Sequence, residues 1–246
     1  MRVGRHLFER RLGGPPLVSD RLQRWVVVVT VVAVGSLAGF GFAARNATRP
    51  LLFDANADTF LRESSGLEHR VAVLLSEVGK PAIFVTLTAL IVVALILLGD
   101  YRAAVAAVVS VGVALVLVED VLKPFFDRRM SSVAGMTFPS GHTAVSVALA
   151  GTVALAASGR RPLGRLLGPV LRRLLVAFVL LLSCTIGLAM VVLQLHYLTD
   201  VVAGIPLGLA VSGCTAVVLD AVAARWQASK GIDPPHNGQT DEGLPP

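Results

Sequence analysis

Cysteine is nearly absent from the sequence, which contains only Cys184 and Cys214. Both lie within apolar runs, where a cysteine behaves as a small buried hydrophobic residue, so neither a disulfide nor a cysteine metal site is predicted. The histidines and acidic residues show no metal-ligand spacing either, and no metal is expected. No internal repeat is evident.

Charged residues are also scarce, at 15%, whereas 54% of the residues are hydrophobic and the mean hydropathy is +0.74. Several apolar runs exceed about 18 residues with few or no charges, which is enough to cross about 30 Å of hydrocarbon. A net charge of +6 is compatible with a nucleic-acid partner. Most of it lies in short loops beside apolar runs, where membrane orientation and anionic lipids explain it better. We therefore predict an all-α integral membrane protein that does not bind nucleic acid.

Six apolar runs predict a bundle of six transmembrane helices, with an amphipathic outer connection between helices 1 and 2. The predicted spans are residues 25–44, 81–98, 103–121, 142–157, 174–195 and 197–222. Within the connection, residues 54–78 have helix-like apolar spacing, which predicts one interfacial helix. The first run lacks a convincing cleavage site and is expected to be retained. The predicted organisation is a basic segment 1–24, a six-helix domain 25–222 and a disordered tail 223–246.

The distribution of arginine predicts the orientation of these helices. Five arginines lie in the connection 158–173, and short basic loops are retained in the cytoplasm. Both termini are therefore predicted to be cytoplasmic, in a multi-pass protein of the cell membrane. This orientation places the polar stretches 123–142 and 196–200 together on the outer face.

His196 and Asp200 are four residues apart, a spacing that puts them on one face of a helix. An aspartate that accepts a hydrogen bond from one imidazole nitrogen fixes the tautomer and leaves the other nitrogen free to attack or to transfer a proton. A helix-capping pair at the membrane interface is the structural alternative. The pair predicts a catalytic histidine with its orienting acid.

The tetrapeptide Pro139-Ser140-Gly141-His142 opens the fourth apolar run. A helix that begins there directs unpaired N–H groups and a partial positive charge outward, which suits an anion. Ser140 is expected to cap the helix or to bond a phosphoryl oxygen. Gly141 permits close approach of the backbone.

Lys123, Arg128 and Arg129 lie in the polar stretch before this tetrapeptide. A dianionic phosphoryl group needs cationic hydrogen-bond donors. Lysine supplies a compact point charge, and arginine supplies a planar guanidinium that can bond two oxygens at once. A solvated basic loop is the alternative. We predict that these three residues bind phosphate.

These three clusters resemble the three signature motifs of the type 2 phosphatidic acid phosphatase superfamily. That superfamily includes lipid phosphate phosphatases and undecaprenyl-diphosphate phosphatases and is related to vanadium haloperoxidases. The resemblance covers about residues 81–222. It implies that His196 is a nucleophile that forms a phosphohistidine, that Asp200 orients it, and that His142 acts as acid and then as base.

The resemblance further implies that Lys123, Ser140 and the Gly141 amide hold the phosphoryl oxygens, with Arg128 and Arg129 available to assist. It implies no metal and no cofactor. The substrate would be a lipid phosphate or diphosphate at the outer leaflet, with its tail in the membrane. The sequence gives no prediction of oligomeric state.

The chain departs from the family pattern at two arginine positions, which hold Met130 and Met190. A missing oxyanion donor costs about 3–4 kcal/mol of transition-state stabilisation. Either Arg128 and Arg129 compensate, or the substrate differs, or activity is weak. The alternative function is a weak or inactive member that binds anionic lipid or a protein partner. A transporter or flippase that uses the same cleft is a third alternative.

Overall fold

The computed structural model describes residues 15–62, 66–158 and 161–229, and every regular element among them is a helix. The first half of the chain forms α1 (Asp20–Ala43), α2 (Leu52–Arg62), α3 (Leu67–Val78), α4 (Pro81–Leu97) and α5 (Tyr101–Val116). A π-helical segment (Leu117–Leu122) continues α5 into the short helix α6 (Lys123–Phe126). The second half forms α7 (Gly141–Ala156), α8 (Pro162–Leu166), α9 (Pro169–Val192) and α10 (Leu198–Ser229).

In the described part of the chain, four helical stretches are long and apolar enough to cross a membrane, namely Asp20–Ala43, Tyr101–Phe126, Pro169–Val192 and Leu198–Ser229; the bent pair of α3 and α4 would be a fifth if it forms one span. The other two predicted spans form α4 and α7, which have 17 and 16 residues. At about 1.5 Å per residue, each is about 25 Å long, somewhat less than the hydrocarbon thickness of about 30 Å. The helical architecture agrees with a membrane protein, and the count of six spans stays a prediction.

The loops gather at two opposite ends of the bundle. At one end, which we call the site end, α1 and α6 finish and α7 and α10 begin; Asn46 N after α1 donates to Phe126 O at 2.9 Å. At the other end, Arg161 after α7 donates through Nε to Asp100, which precedes α5, at 2.8 Å. Consecutive long helices therefore alternate in direction, as an antiparallel bundle requires.

Helix α7 is the centre of the bundle, and nearly all of its residues are buried. It packs closely on α10, where a Cβ atom at Gly208 would collide with the carbonyl oxygen of Ala144 and one at Gly151 with the hydroxyl of Ser212. Small residues at such contacts let membrane helices approach closely. The close packing fixes the start of α7 relative to the start of α10.

The connection between α1 and α4 differs from the prediction. It contains two helices, α2 and α3, where one interfacial helix was expected over residues 54–78. Residues 63–65 lie outside the described part of the chain. Helix α3 meets α4 at a bend of 61°. Near the start of α2, Asp54 is only 1% exposed, so this part of the connection is anchored inside the protein rather than lying on its surface.

The two ends of the helical domain also differ from the predicted boundaries. Helix α1 begins at Asp20 rather than at 25, and α10 continues to Ser229 rather than ending at 222. Leu17 and Val18 are buried, and their amides donate to the two carboxylate oxygens of Asp220 at 2.9 Å each. The rest of the predicted basic segment (1–14) and of the predicted tail (230–246) lies outside the described residues.

Candidate active site

The three predicted clusters meet at the site end through Asp200. Ser140 N donates to the carbonyl oxygen of Asp200 at 3.1 Å. Arg128 Nη1 donates to Asp200 Oδ1 at 2.6 Å. All three residues are fully buried. One backbone bond and one ion pair thus hold the first and second clusters against the third.

His142 and His196 face each other near the start of α7, with ring centroids 6.2 Å apart. His196 Nδ1 lies 3.4 Å from Asp200 Oδ2, within ion-pair range but without the geometry of a hydrogen bond. A carboxylate at Nδ1 leaves Nε2 as the nitrogen available for chemistry.

Asp200 also serves the structural role that was the alternative for this pair. Its Oδ2 accepts from Tyr197 N at 3.0 Å. Tyr197 immediately precedes α10 and is therefore its N-cap residue. The bond is one of the two hydrogen bonds of a capping box, in which the side chain of the third helical residue accepts from the amide of the N-cap residue. The same carboxylate therefore fixes the start of α10 and faces the His196 ring.

Ser140 is the N-cap of α7. Its Oγ accepts from Thr143 N at 3.4 Å and from Thr143 Oγ1 at 3.0 Å. The peptide bond between Phe138 and Pro139 is cis. Because the first-turn amides of a helix have no intrahelical acceptor, α7 brings a partial positive charge to the histidines. Capping is the role that the structure gives Ser140, and its contact with a phosphoryl oxygen stays a prediction.

Glu119, in the π-helical segment, lies directly beside Gly141. A Cβ atom on Gly141 would be 2.7 Å from Glu119 Oε1, so a larger residue there would require the Glu119 side chain to shift. Both carboxylate oxygens of Glu119 accept from Lys123 Nζ, at 2.7 and 2.8 Å. Sequence analysis missed Glu119, although an acid four residues before a lysine is a recognisable helical pairing signal.

Arg128 lies in a buried network and uses both terminal nitrogens there. Nη1 also donates to Thr199 Oγ1 at 2.7 Å, and Nη2 donates to Asp54 Oδ2 at 2.5 Å. The guanidinium carbon is 4.3 Å from the centre of the Tyr197 ring. These contacts make Arg128 a support for Asp200. Its predicted contact with phosphate is not tested by them.

Asp54 is the second residue that sequence analysis missed. Besides pairing with Arg128, it accepts from Thr199 N at 2.9 Å and from Thr199 Oγ1 at 3.0 Å. In the sequence it is one acid among several in an amphipathic stretch of mixed charge. Nothing in that pattern distinguishes it from a solvent-exposed residue.

The other arginine of the first cluster lies on the surface. Arg129 Nε donates to Asp127 Oδ1 at 2.9 Å, and the two side chains are 57% and 40% exposed. Among the residues that the structure describes, Arg129 forms no hydrogen bond or ion pair with either histidine. Met130 and Met190, at the two arginine positions of the family pattern, are buried. Neither methionine supplies a cation.

Across residues 15–62, 66–158 and 161–229, no group of three or more His, Cys, Asp or Glu residues could hold a metal ion. The expectation of a reaction without metal or cofactor stays a prediction.

Comparison with known proteins gives one match. The family model described as the PAP2 superfamily matches residues 103–223. This range contains Glu119 and all eight residues predicted for the site, whereas Asp54 lies outside it. No curated protein and no solved structure matches the chain.

Proposed function

The chain belongs to the PAP2 superfamily, and on that premise we propose that it is a membrane-embedded phosphatase that hydrolyses a lipid phosphate or diphosphate through a phosphohistidine. One observation carries this proposal: the His196 ring lies 6.2 Å from the His142 ring between ring centres, and its Nδ1 lies 3.4 Å from the Asp200 carboxylate. A nucleophile with both an orienting acid and a second proton-transfer group close to it is the arrangement that covalent phosphoryl transfer needs.

In the first step of the proposed reaction, His196 Nε2 attacks the phosphorus atom. The bond between phosphorus and the leaving oxygen breaks, and His142 gives that oxygen a proton. Asp200 stabilises the positive charge that develops on the His196 ring. In the second step, His142 takes a proton from a water molecule that attacks the phosphohistidine. The P–N bond breaks, and inorganic phosphate is released.

The phosphoryl oxygens would be held at the start of α7. We assign this role to Lys123, the Gly141 amide and the Ser140 hydroxyl, whose proton remains available because its oxygen acts only as an acceptor in the cap. Preorganised donors of this kind stabilise the charge of the transition state. Arg128 contributes by holding Asp200, and exposed Arg129 is assigned to the entrance of the site.

The proposed substrate is a lipid that stays in the membrane while its phosphate reaches the site. A site at the end of apolar helices suits a substrate whose phosphate is in water and whose tail is in lipid. We propose that this end faces outward and that both termini are cytoplasmic, because the basic connection 158–173 lies at the other end.

The orientation is tested by labelling single cysteines with a membrane-impermeant maleimide in intact cells. Cys184 and Cys214 are first replaced by serine. We expect Ser132→Cys, in an exposed loop of the site end, to be labelled from outside, and Leu166→Cys, which is 70% exposed at the opposite end, to be labelled only after permeabilisation. The reverse pattern would show that the site faces the cytoplasm.

Phosphate release across a panel of lipid phosphates tests the proposed activity. We expect the wild type to hydrolyse at least one of them and His142→Ala to be slower by about 10²–10⁴-fold, the usual contribution of general acid–base catalysis. With an aryl phosphate, whose leaving group needs no proton, the first step should be spared in His142→Ala, and the loss should fall on the hydrolysis of the phosphohistidine. His69→Ala, which removes an exposed histidine of α3, is the matched control and should be unchanged.

A weak or inactive family member that binds anionic lipid is the second candidate. It is favoured by Met130 and Met190 and by the engagement of both terminal nitrogens of Arg128. This candidate predicts that wild type, His142→Ala and His69→Ala release phosphate equally slowly from every lipid in the panel. That result would refute the phosphatase.

A further inference from the structure

All three cations predicted to bind phosphate are already paired with carboxylates of the protein. Lys123 pairs with Glu119, and Arg129 with Asp127. Arg128 lies between two carboxylates, Asp54 and Asp200. In this described set, three cations face four carboxylates. An incoming dianionic phosphate therefore meets no unpaired cation among them and has to displace an existing partner.

Only one of these pairs combines access with a position beside the histidines. The Arg128 pairs are completely buried, and the pair of Arg129 lies out on the surface. The side chains of Lys123 and Glu119 are 15% and 41% exposed. Their pair is therefore the one that a phosphoryl group can open.

The Glu119 carboxylate also occupies a position that suits an anion. It contacts Lys123 Nζ with both oxygens and lies against Gly141 at the positive end of α7. A cationic side chain together with a helix N-terminus is a favourable environment for a phosphoryl oxygen. In this structure the protein's own carboxylate fills that environment.

We propose that Glu119 determines the specificity of the site: it competes with the phosphoryl group for Lys123 and favours ligands that carry a positive charge next to the phosphorus. Once displaced, the Glu119 carboxylate stays close to the incoming anion and repels it, unless an ammonium group of the ligand lies between them. The preferred class is thus an amine-bearing phosphate ester. This inference rests on the proposed function, because it assigns a substrate class to the same site.

Binding of inorganic phosphate to the purified full-length protein in detergent tests the competition without any turnover. We expect Glu119→Gln to bind phosphate at least about 10-fold more tightly than the wild type, since the competing charge is gone while size and polarity are kept. Asp120→Asn is the matched control, because it removes one negative charge from the next residue, which is also exposed. Its affinity should stay within about 2-fold of the wild type.

A matched pair of phosphonates tests the ligand class. 2-Aminoethylphosphonate and propylphosphonate have the same number of heavy atoms, and their C–P bonds resist phosphatases. The wild type should bind the amine at least about 10-fold more tightly, and Glu119→Gln should lose that preference. A thermal unfolding scan establishes that Glu119→Gln is folded, and Glu119→Ala should reproduce both results.

Three outcomes would overturn the inference. They are unchanged phosphate affinity in folded Glu119→Gln, an equal gain in Asp120→Asn, and a wild type that binds the two phosphonates equally. Each is a binding result. A wild type that hydrolyses no lipid phosphate would instead refute the proposed function, so the two failures are distinguishable.

Discussion

Replacing His196 with alanine is expected to lower phosphate release from a lipid phosphate by more than about 1,000-fold, because the nucleophile is lost and the remaining groups act as a unit with it. Among the described residues, the two nearest alternatives already have other roles in this account: His142 transfers the proton, and the oxygen of Ser140 is engaged in the cap of α7. Initial rates of phosphate release in mixed micelles give the measurement.

The comparison with His142→Ala makes this prediction specific. An aryl phosphate needs no proton on its leaving group, so the first step should survive in His142→Ala and fail in His196→Ala. A burst of released phenolate in His142→Ala but not in His196→Ala is the expected pattern. Equal bursts in the two variants would assign the nucleophile to another residue.

The largest expected effect on stability comes from Arg128→Met. This change leaves Asp54 and Asp200 buried without their shared cation. Removing one partner of a buried ion pair costs about 3–5 kcal/mol, since the remaining charge is uncompensated. We expect a loss of this size in the free energy of unfolding, measured by titration with a denaturing detergent, together with loss of activity through Asp200.

The chain provides a matched control for this prediction at the next position. Arg129→Met also removes an arginine, but its pair with Asp127 is exposed. Surface pairs contribute about 0–1 kcal/mol, so the variant should be almost as stable as the wild type. The double variant Arg128→Met/Asp54→Asn should recover part of the lost stability, because one uncompensated charge is removed. Equal losses for Arg128→Met and Arg129→Met would contradict the buried network.

The sequence predicts most of the helices because hydrocarbon imposes a strong requirement on apolar composition. The predicted spans agree with the observed helices to within a few residues at most ends. The largest exception has a physical reason: the end of α10 is extended by helical residues beyond its apolar part. Helices α4 and α7 begin and end within one residue of the predicted spans.

The sequence also singles out the motif residues: His196 and Asp200 by their spacing, and His142 by its place at a helix entry. It does not single out the partners of these residues. Asp54 lies more than 140 residues before Thr199 in the chain and meets it only after folding. The role of Arg128 was missed for the same reason. Arg128 was predicted to bind phosphate, but both of its terminal nitrogens donate to protein side chains, one of which is Asp54.

Trapping of the covalent intermediate tests the central claim most directly. The purified His142→Ala protein is mixed with an aryl phosphate, quenched in alkali to preserve phosphohistidine, and digested for mass spectrometry. With its acid–base group missing, this variant should form the phosphohistidine and hydrolyse it slowly, so that phosphate accumulates on the peptide that contains His196. A wild type that releases phosphate while neither protein carries phosphate on His196 would contradict the account.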